Sequence, residues 1–447
     1  MSSAPQPPAS AGSTPEFAPS GLALEPQMTL CQTALPIDWY QEELKPYAEE
    51  FLALPDHKAG TVLRWMDQYI KPARDHFGDS LLLLAHYYMG GEIVKLVEHY
   101  GGGVADSYAL ALQARNNPDK KVIVESAVHF MAESIAILAH EDQDVWITNP
   151  KAGCTMEMLA KDWQVYPVVD QLEERYGDDF LTIAYMNTSG RLKAVAGRTG
   201  GAVCTSSNAH KVVAWALEQN KKILFVPDQH LGINTWARLG KDLAKTHVLP
   251  DPSRGAIDIS DQTEQLDKAD LWLWGSACGV HTIFTPQMVR WWQERDYRVL
   301  IHPESPLAAV EAADGQGSTT YLWDQVMAAK SGEKLAIGTE GHFVRNAREQ
   351  AAARGVGVVH LAEIPEPGFG SGGCGCATMS RNDPPHLAGL LDLLRQGKGP
   401  DINHVLSGDA VDERTMRRDR LTESDRTELI AQARLSLERM IEITEAS

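Results

Sequence analysis

Six cysteines are spread through the 447 residues, at Cys31, Cys154, Cys204, Cys278, Cys374 and Cys376. They are too few and too scattered for the disulfide framework of a secreted protein, so free thiols in a reducing, cytoplasmic compartment are expected. Cys154 follows Pro150-Lys-Ala-Gly, Cys278 follows Gly275-Ser-Ala, and Cys376 follows Gly368-Phe-Gly-Ser-Gly-Gly-Cys-Gly. Small neighbours let a backbone come close to a bulky inorganic group. Thiolates from three distant segments suit an iron-sulfur cluster, whose fourth corner would stay open as a Lewis acid for a substrate carboxylate and hydroxyl. Each cysteine taken alone reads more readily as an inert, buried small hydrophobe. Cys31 lies in the N-terminal tail and Cys204 sits between an apolar run and Thr205, so both are read as structural. Cys374 competes with Cys376 for the third place, and the tight Cys-Gly-Cys could instead close a redox-labile disulfide.

A second set of residues could move protons: His86, Tyr88, Tyr185, His281, His302 and Glu304. A histidine at a strand end is more often an ordinary hydrogen-bonding residue, and a tyrosine more often caps a core. Six such residues at equivalent ends of repeated strands reverse that expectation. A third set bears hydroxyls at predicted helix starts: Ser107, Ser206, and Ser318 with Thr319. There the free N–H groups and the helix dipole favour a phosphate or carboxylate, and a plain helix cap is the equal alternative.

The elements that must position these groups show as alternation. From about residue 80, short apolar runs such as Ser80-Leu-Leu-Leu-Leu-Ala, Lys222-Ile-Leu-Phe-Val and Lys334-Leu-Ala-Ile alternate with amphipathic helical patterns, which means α/β layers around parallel sheets. The polar ends of the runs repeat three times. First strands end in His86-Tyr-Tyr, Tyr185-Met-Asn-Thr-Ser and His302-Pro-Glu-Ser-Pro; second strands end in Val128-His-Phe-Met, Pro227-Asp-Gln-His-Leu and Thr339-Glu-Gly-His-Phe. A third strand then leads to a cysteine. The expectation is three similar α/β sandwich domains in a pseudo-threefold arrangement around a central cluster site. Their boundaries are a disordered tail over 1–35, domains over 36–157, 158–282 and 283–378, and a C-terminal helical segment over 379–447 packing on the first domain. Outer helices are expected around Trp65-Met-Asp-Gln-Tyr-Ile and over 422–446.

Forty-one basic against sixty acidic side chains give a net charge of -19, which repels nucleic acid and anionic lipid at long range. The mean hydropathy is -0.27, and no stretch approaches the ~20 apolar residues that span a bilayer. With no Lys or Arg before Lys45, neither a signal peptide nor an Arg-rich transit peptide is expected.

Several blocks, taken in order, resemble the quinolinate synthase family, the A protein of the bacterial quinolinate pathway. They are Ala85-His-Tyr-Tyr with Gly91-Glu-Ile, Ala105-Asp-Ser, Tyr185-Met-Asn-Thr-Ser with Lys193-Ala, Thr205-Ser-Ser, Pro227-Asp-Gln-His-Leu-Gly, Gly275-Ser-Ala-Cys-Gly-Val-His281, His302-Pro-Glu-Ser-Pro and Gly317-Ser-Thr. The resemblance, over about residues 80–420, implies condensation of iminoaspartate with dihydroxyacetone phosphate to quinolinate, with loss of phosphate and water, in NAD biosynthesis. It implies a 4Fe-4S cluster on Cys154, Cys278 and Cys376 with one open iron, Cys376 being chosen because Met379 stands three residues on. It implies His86 and Tyr88 beside the triose, Tyr185 and Asn187 near the cluster, and His302 with Glu304 opposite. With these placements Glu304 is expected to be the principal base, and Tyr88 and His86 to handle keto-aldo isomerisation. An aspartate oxidase is the implied functional partner, and the chain is expected to be a monomer or homodimer. Many relatives carry Cys-x-x-Cys-x-x-Cys where this chain has Cys374-Gly-Cys376. Two other readings stay open: a diphthamide-type radical enzyme, whose family lacks the His302-Pro-Glu-Ser-Pro block, and a non-enzymatic iron or zinc module.

Overall fold

The computed structural model describes residues 24–30, 35–89, 92–366, 375–412, 415 and 417–446. Cys31, Cys374 and its possible disulfide, Gly91, the Gly368–Gly373 run and the first part of the expected tail lie outside the described residues.

Three parallel sheets succeed one another along the chain. The first holds β1 (Leu81–His86), β2 (Gly103–Ala105), β3 (Val122–Ser126) and β4 (Asp144–Ile147), in the order β2-β1-β3-β4. The second holds β5 (Phe180–Tyr185), β6 (Ala202–Cys204), β7 (Lys222–Val226), β8 (Thr246–Val248) and β9 (Leu271–Leu273), in the order β6-β5-β7-β9-β8. The third holds β10 (Arg298–Ile301), β11 (Gly315–Gln316), β12 (Lys334–Gly338) and β13 (Gly357–His360), in the order β11-β10-β12-β13. The same order recurs each time, with β8 added at one edge. The chain is an α/β protein of repeated parallel-sheet units.

These strands read as unbroken apolar runs because both faces are covered by helices. In the third unit Val299 and Ile301 of β10 feed one core with Met288 and Trp292, while Leu300 between them feeds another with Leu322 and Phe343. The period-two alternation of the strand thus supplies two layers at once. The first two units share one continuous core that includes Leu83, Val124, Ile183 and Phe225.

Two outer regions differ from expectation. Residues 24–30 were expected in the disordered tail, yet Leu30 is buried, its N–H donates to His57 O at 3.0 Å, and Thr29 bridges Lys58. An apolar side chain and paired backbone hold that segment down. The C-terminal segment was expected on the first unit. The helix Pro384–Arg395 does pack on the helix Ala59–Phe77 there, but the final helix, Glu423–Glu445, lies mainly along the helix Gly190–Arg198 and β6 of the second unit. The close approach is made at Gly197, where an added Cβ would meet Gln432 O at 2.0 Å. No helix among the described residues is long and apolar enough to cross a membrane.

Candidate active site

Each first strand ends at one cavity. The end of every such strand and the residues just after it bring His86 and Tyr88 from the first unit, Tyr185 and Asn187 from the second, and His302 and Glu304 from the third to the same space. This is the carboxyl end of a parallel sheet, where ligands of α/β proteins bind. Ser107, Ser206, Thr319, His281, Cys278 and Cys376 also line it. No Lys or Arg does so among the described residues.

The two strand-end histidines are set alike. His86 Nδ1 accepts the Tyr88 N–H at 3.1 Å, and His302 Nδ1 accepts the Glu304 N–H at 3.4 Å. With Nδ1 occupied as acceptor, a neutral ring carries its proton on Nε2. Burial outweighs the nearby Glu304 charge and pushes both rings down to about 3, so both are neutral at physiological pH. His86 Nε2 lies 3.5 Å from Ser107 Oγ.

Glu304 sits at the junction of the second and third units. Its Oε1 accepts from the Tyr185 hydroxyl at 2.6 Å, and its Oε2 lies 2.8 Å from His281 Nδ1. Burial alone would raise its carboxyl; the facing His281 and His302 and these hydrogen bonds more than offset that and hold it below the usual carboxylate range. Burial and the Glu304 charge push the phenols of Tyr88 and Tyr185 up, so both remain protonated donors. His281 stacks on His302 with ring centroids 4.6 Å apart, and its Nε2 lies 3.1 Å from Thr339 Oγ1. Thr339 Oγ1 also pairs with the Tyr88 hydroxyl at 2.8 Å, so all three units meet through hydrogen bonds.

Cys278 and Cys376 face the cavity, while Cys154 stands in the wall behind Asn187, whose Nδ2 is 3.9 Å from its Sγ. All three are free thiols. Burial pushes the thiol of Cys154 up, and the neighbouring Cys376 adds to this; Cys278 is raised by burial, by Glu304 and by Cys154. Asn187, which reaches Cys154, lines the same cavity as Cys278 and Cys376. Deprotonating several of them together in an apolar wall is unfavourable unless a cation compensates, so the donor set fits a thiolate-bound cluster. Cys204 is fully buried at the end of β6, as expected of a structural cysteine.

The hydroxyl expectations divide. Ser318 caps the helix Thr319–Ala328 through Tyr321 N and does not line the cavity, whereas Thr319 does. Ser107 is the first residue of its short helix, and Asp106 is the cap, accepting Ala109 N at 3.0 Å. Ser206 lies in the turn ahead of the helix Ala209–Glu218, capped at Asn208. Cap position depends on backbone angles that a run of hydroxyl residues does not reveal. Freed from capping, Ser107 and Ser206 both line the cavity.

Other residues of the site were passed over in sequence. Asn234 donates to Pro303 O at 2.8 Å and Ser305 O at 2.7 Å, tying the Glu304 turn to the second unit. Asp106 accepts from Thr320 Oγ1 at 2.8 Å, joining the first and third. Glu340 lines the cavity. Asp106, Asp228 and Glu340 all stood inside the repeated blocks, the one signal that could have singled them out.

The family model described as the quinolinate synthetase A protein matches residues 69–417. The chain belongs to that family. Among its relatives, the quinolinate synthase of Corynebacterium glutamicum is 35% identical over 382 residues, covering 85% of this chain and 87% of the relative. That of Streptomyces coelicolor is 38% identical over 331 residues, 73% of this chain and 80% of the relative. That of Herpetosiphon aurantiacus is 35% identical over 392 residues, 86% of this chain and 94% of the relative.

Proposed function

We propose that this chain is an enzyme that condenses iminoaspartate with dihydroxyacetone phosphate, releasing phosphate and water, to make quinolinate for NAD biosynthesis. Family membership supports this. The observation that carries it is the convergence, on one cavity, of acid-base side chains drawn from all three sheet units beside the thiols of Cys278 and Cys376, with Cys154 behind Asn187 in its wall.

In this reading Cys154, Cys278 and Cys376 hold a 4Fe-4S cluster, which when bound would supply an open iron as Lewis acid. The side chains do the rest. Glu304, held well below the usual carboxylate range by the facing histidines and its hydrogen bonds, is ionised and acts as base with His281 2.8 Å from its Oε2. Tyr88 and Tyr185 stay protonated and can donate to a developing enolate oxygen. Neutral His86 and His302 turn Nε2–H donors to the substrates, His86 and Tyr88 serving the keto-aldo isomerisation of the triose. Ser107, Ser206 and Thr319 offer hydroxyls to carboxylates and phosphate, which suits a cavity that must bind anions without lining cations. An aspartate oxidase is the expected source of unstable iminoaspartate.

The test is quinolinate formation by anaerobically reconstituted protein from dihydroxyacetone phosphate and enzymatically generated iminoaspartate. Turnover is expected, and its absence in cluster-loaded protein would refute the proposal. A second reading rests on Cys278, His281 and Glu304, whose ligand atoms lie within 4.8 Å of one another and could hold a single divalent ion. A zinc protein would be colourless, whereas the cluster makes the protein brown.

A further inference from the structure

Two buried carboxylates repeat a single arrangement. In the second unit Asp228 stands two residues beyond β7, and in the third Glu340 stands two residues beyond β12. Each is the cap of the helix that follows: Asp228 Oδ1 accepts Leu231 N at 2.7 Å, and Glu340 Oε2 accepts Phe343 N at 3.0 Å. Capping uses one oxygen. The other oxygen accepts the backbone N–H of a cysteine in both cases: Asp228 Oδ2 from Cys278 at 3.0 Å, and Glu340 Oε1 from Cys376 at 2.8 Å. Exposure of the two residues is 0% and 1%. Water therefore cannot replace either bond, and breaking one leaves a buried carboxyl oxygen and a buried N–H each short of a bond.

The first unit departs from the pattern. Its equivalent position, two residues beyond β3, is Val128, with no side-chain cap. Cys154 is instead the N-cap residue of the helix Thr155–Met158, with no side-chain cap bond.

We infer that Asp228 and Glu340 are positioning residues that clamp the backbone of Cys278 and Cys376, so that each thiol is held toward the shared cavity before a cluster arrives. The sequence distance spanned is 50 residues in one clamp and 36 in the other, so each ties a cysteine loop to a rigid strand end. The His342 ring packs against the second clamp, its Nδ1 2.7 Å from Glu340 Oε1, and crowds Gly375, where a Cβ would meet that ring at 2.1 Å. The inference rests on the proposed cluster.

Asp228→Asn and Glu340→Gln test it. An amide can still cap the helix with its oxygen, but its NH2 then faces the cysteine N–H, donor against donor. Anaerobically loaded full-length protein is exposed to a ferrous chelator well below its melting temperature, and iron release is followed by absorbance. Thr285→Ala is the control: it removes the cap bond to Met288 N from the helix Pro286–Gln293 without touching a cysteine. Both clamp variants should lose iron at least about tenfold faster than wild type, with Thr285→Ala at the wild-type rate. Release at the wild-type rate from the clamp variants, or equal acceleration in Thr285→Ala, would overturn the inference. If Asp228→Asn does not fold, Glu340→Gln decides alone. A wild type that takes up no cluster would overturn the functional proposal itself, a result read separately from the variants.

Discussion

The phenol of Tyr185, at the end of β5, donates to Oε1 of Glu304, in the turn after β10, across 2.6 Å. The two residues come from different sheets and are fully within the protein, so the bond sets both the orientation of the carboxylate and its affinity for a proton. Replacing Tyr185 by Phe should therefore raise the Glu304 pKa. Loss of a charge-assisted hydrogen bond worth about 1.5 kcal/mol corresponds to about one pKa unit. Glu304 works ionised, so the acidic limb of the kcat profile should move to higher pH by about that much. A uniform fall in kcat with an unmoved acidic limb would show that Tyr185 does not tune Glu304.

Asn234 never touches the cavity yet holds Pro303 O and Ser305 O on either side of Glu304. Asn234→Ala should cost on the order of 2 kcal/mol of stability and lower kcat roughly tenfold or more through misplacement of Glu304, with iron content unchanged. Parallel iron and turnover measurements check this; loss of iron with normal turnover per cluster would contradict it.

How much of this was legible in sequence depends on the range of the interaction concerned. The run Leu81–Leu84 and its counterparts declared the strands, because a strand covered on both faces needs no partner to be read. The polar ends at His86, Tyr185 and His302 declared the site, because they repeat. The hidden part lies in pairings across long stretches of chain: Glu340 with Cys376, Asn234 with Pro303, and Thr339 with both Tyr88 and His281. Nothing local marks such partners. The edge strand β8, three residues long and half-exposed, also carries too little pattern to be seen.

Glu125 in β3 is completely buried, with neither carboxylate oxygen hydrogen-bonded among the described residues. Burial raises its pKa well above the usual carboxylate range. A folded-state value above the unfolded one imposes no penalty while both states are protonated, and lowers stability as pH rises above ~4.3, where the unfolded chain begins to ionise. Glu125→Gln should thus match wild type near pH 4 and melt higher than wild type at pH 7.5. Thermal melts at the two pH values decide it, and a destabilised variant at pH 7.5 would show an unseen partner for the charge.

Gly197 lets the final helix touch the Gly190–Arg198 helix at backbone distance. Gly197→Ala should force the pair apart and cost about 1–3 kcal/mol, the usual range for overpacking, despite the better helix propensity of alanine. A melting temperature equal to or above that of wild type would contradict the close packing.

The account depends above all on Cys154, Cys278 and Cys376 acting as one ligand set. The direct measurement is iron and sulfide per chain in anaerobically reconstituted wild type and in the Cys154→Ala, Cys278→Ala, Cys376→Ala and Cys204→Ala proteins, with quinolinate turnover on the same samples. Four-iron loading and turnover should be present in wild type and Cys204→Ala and lost from each of the other three. Full loading and turnover in any one of those three would contradict it.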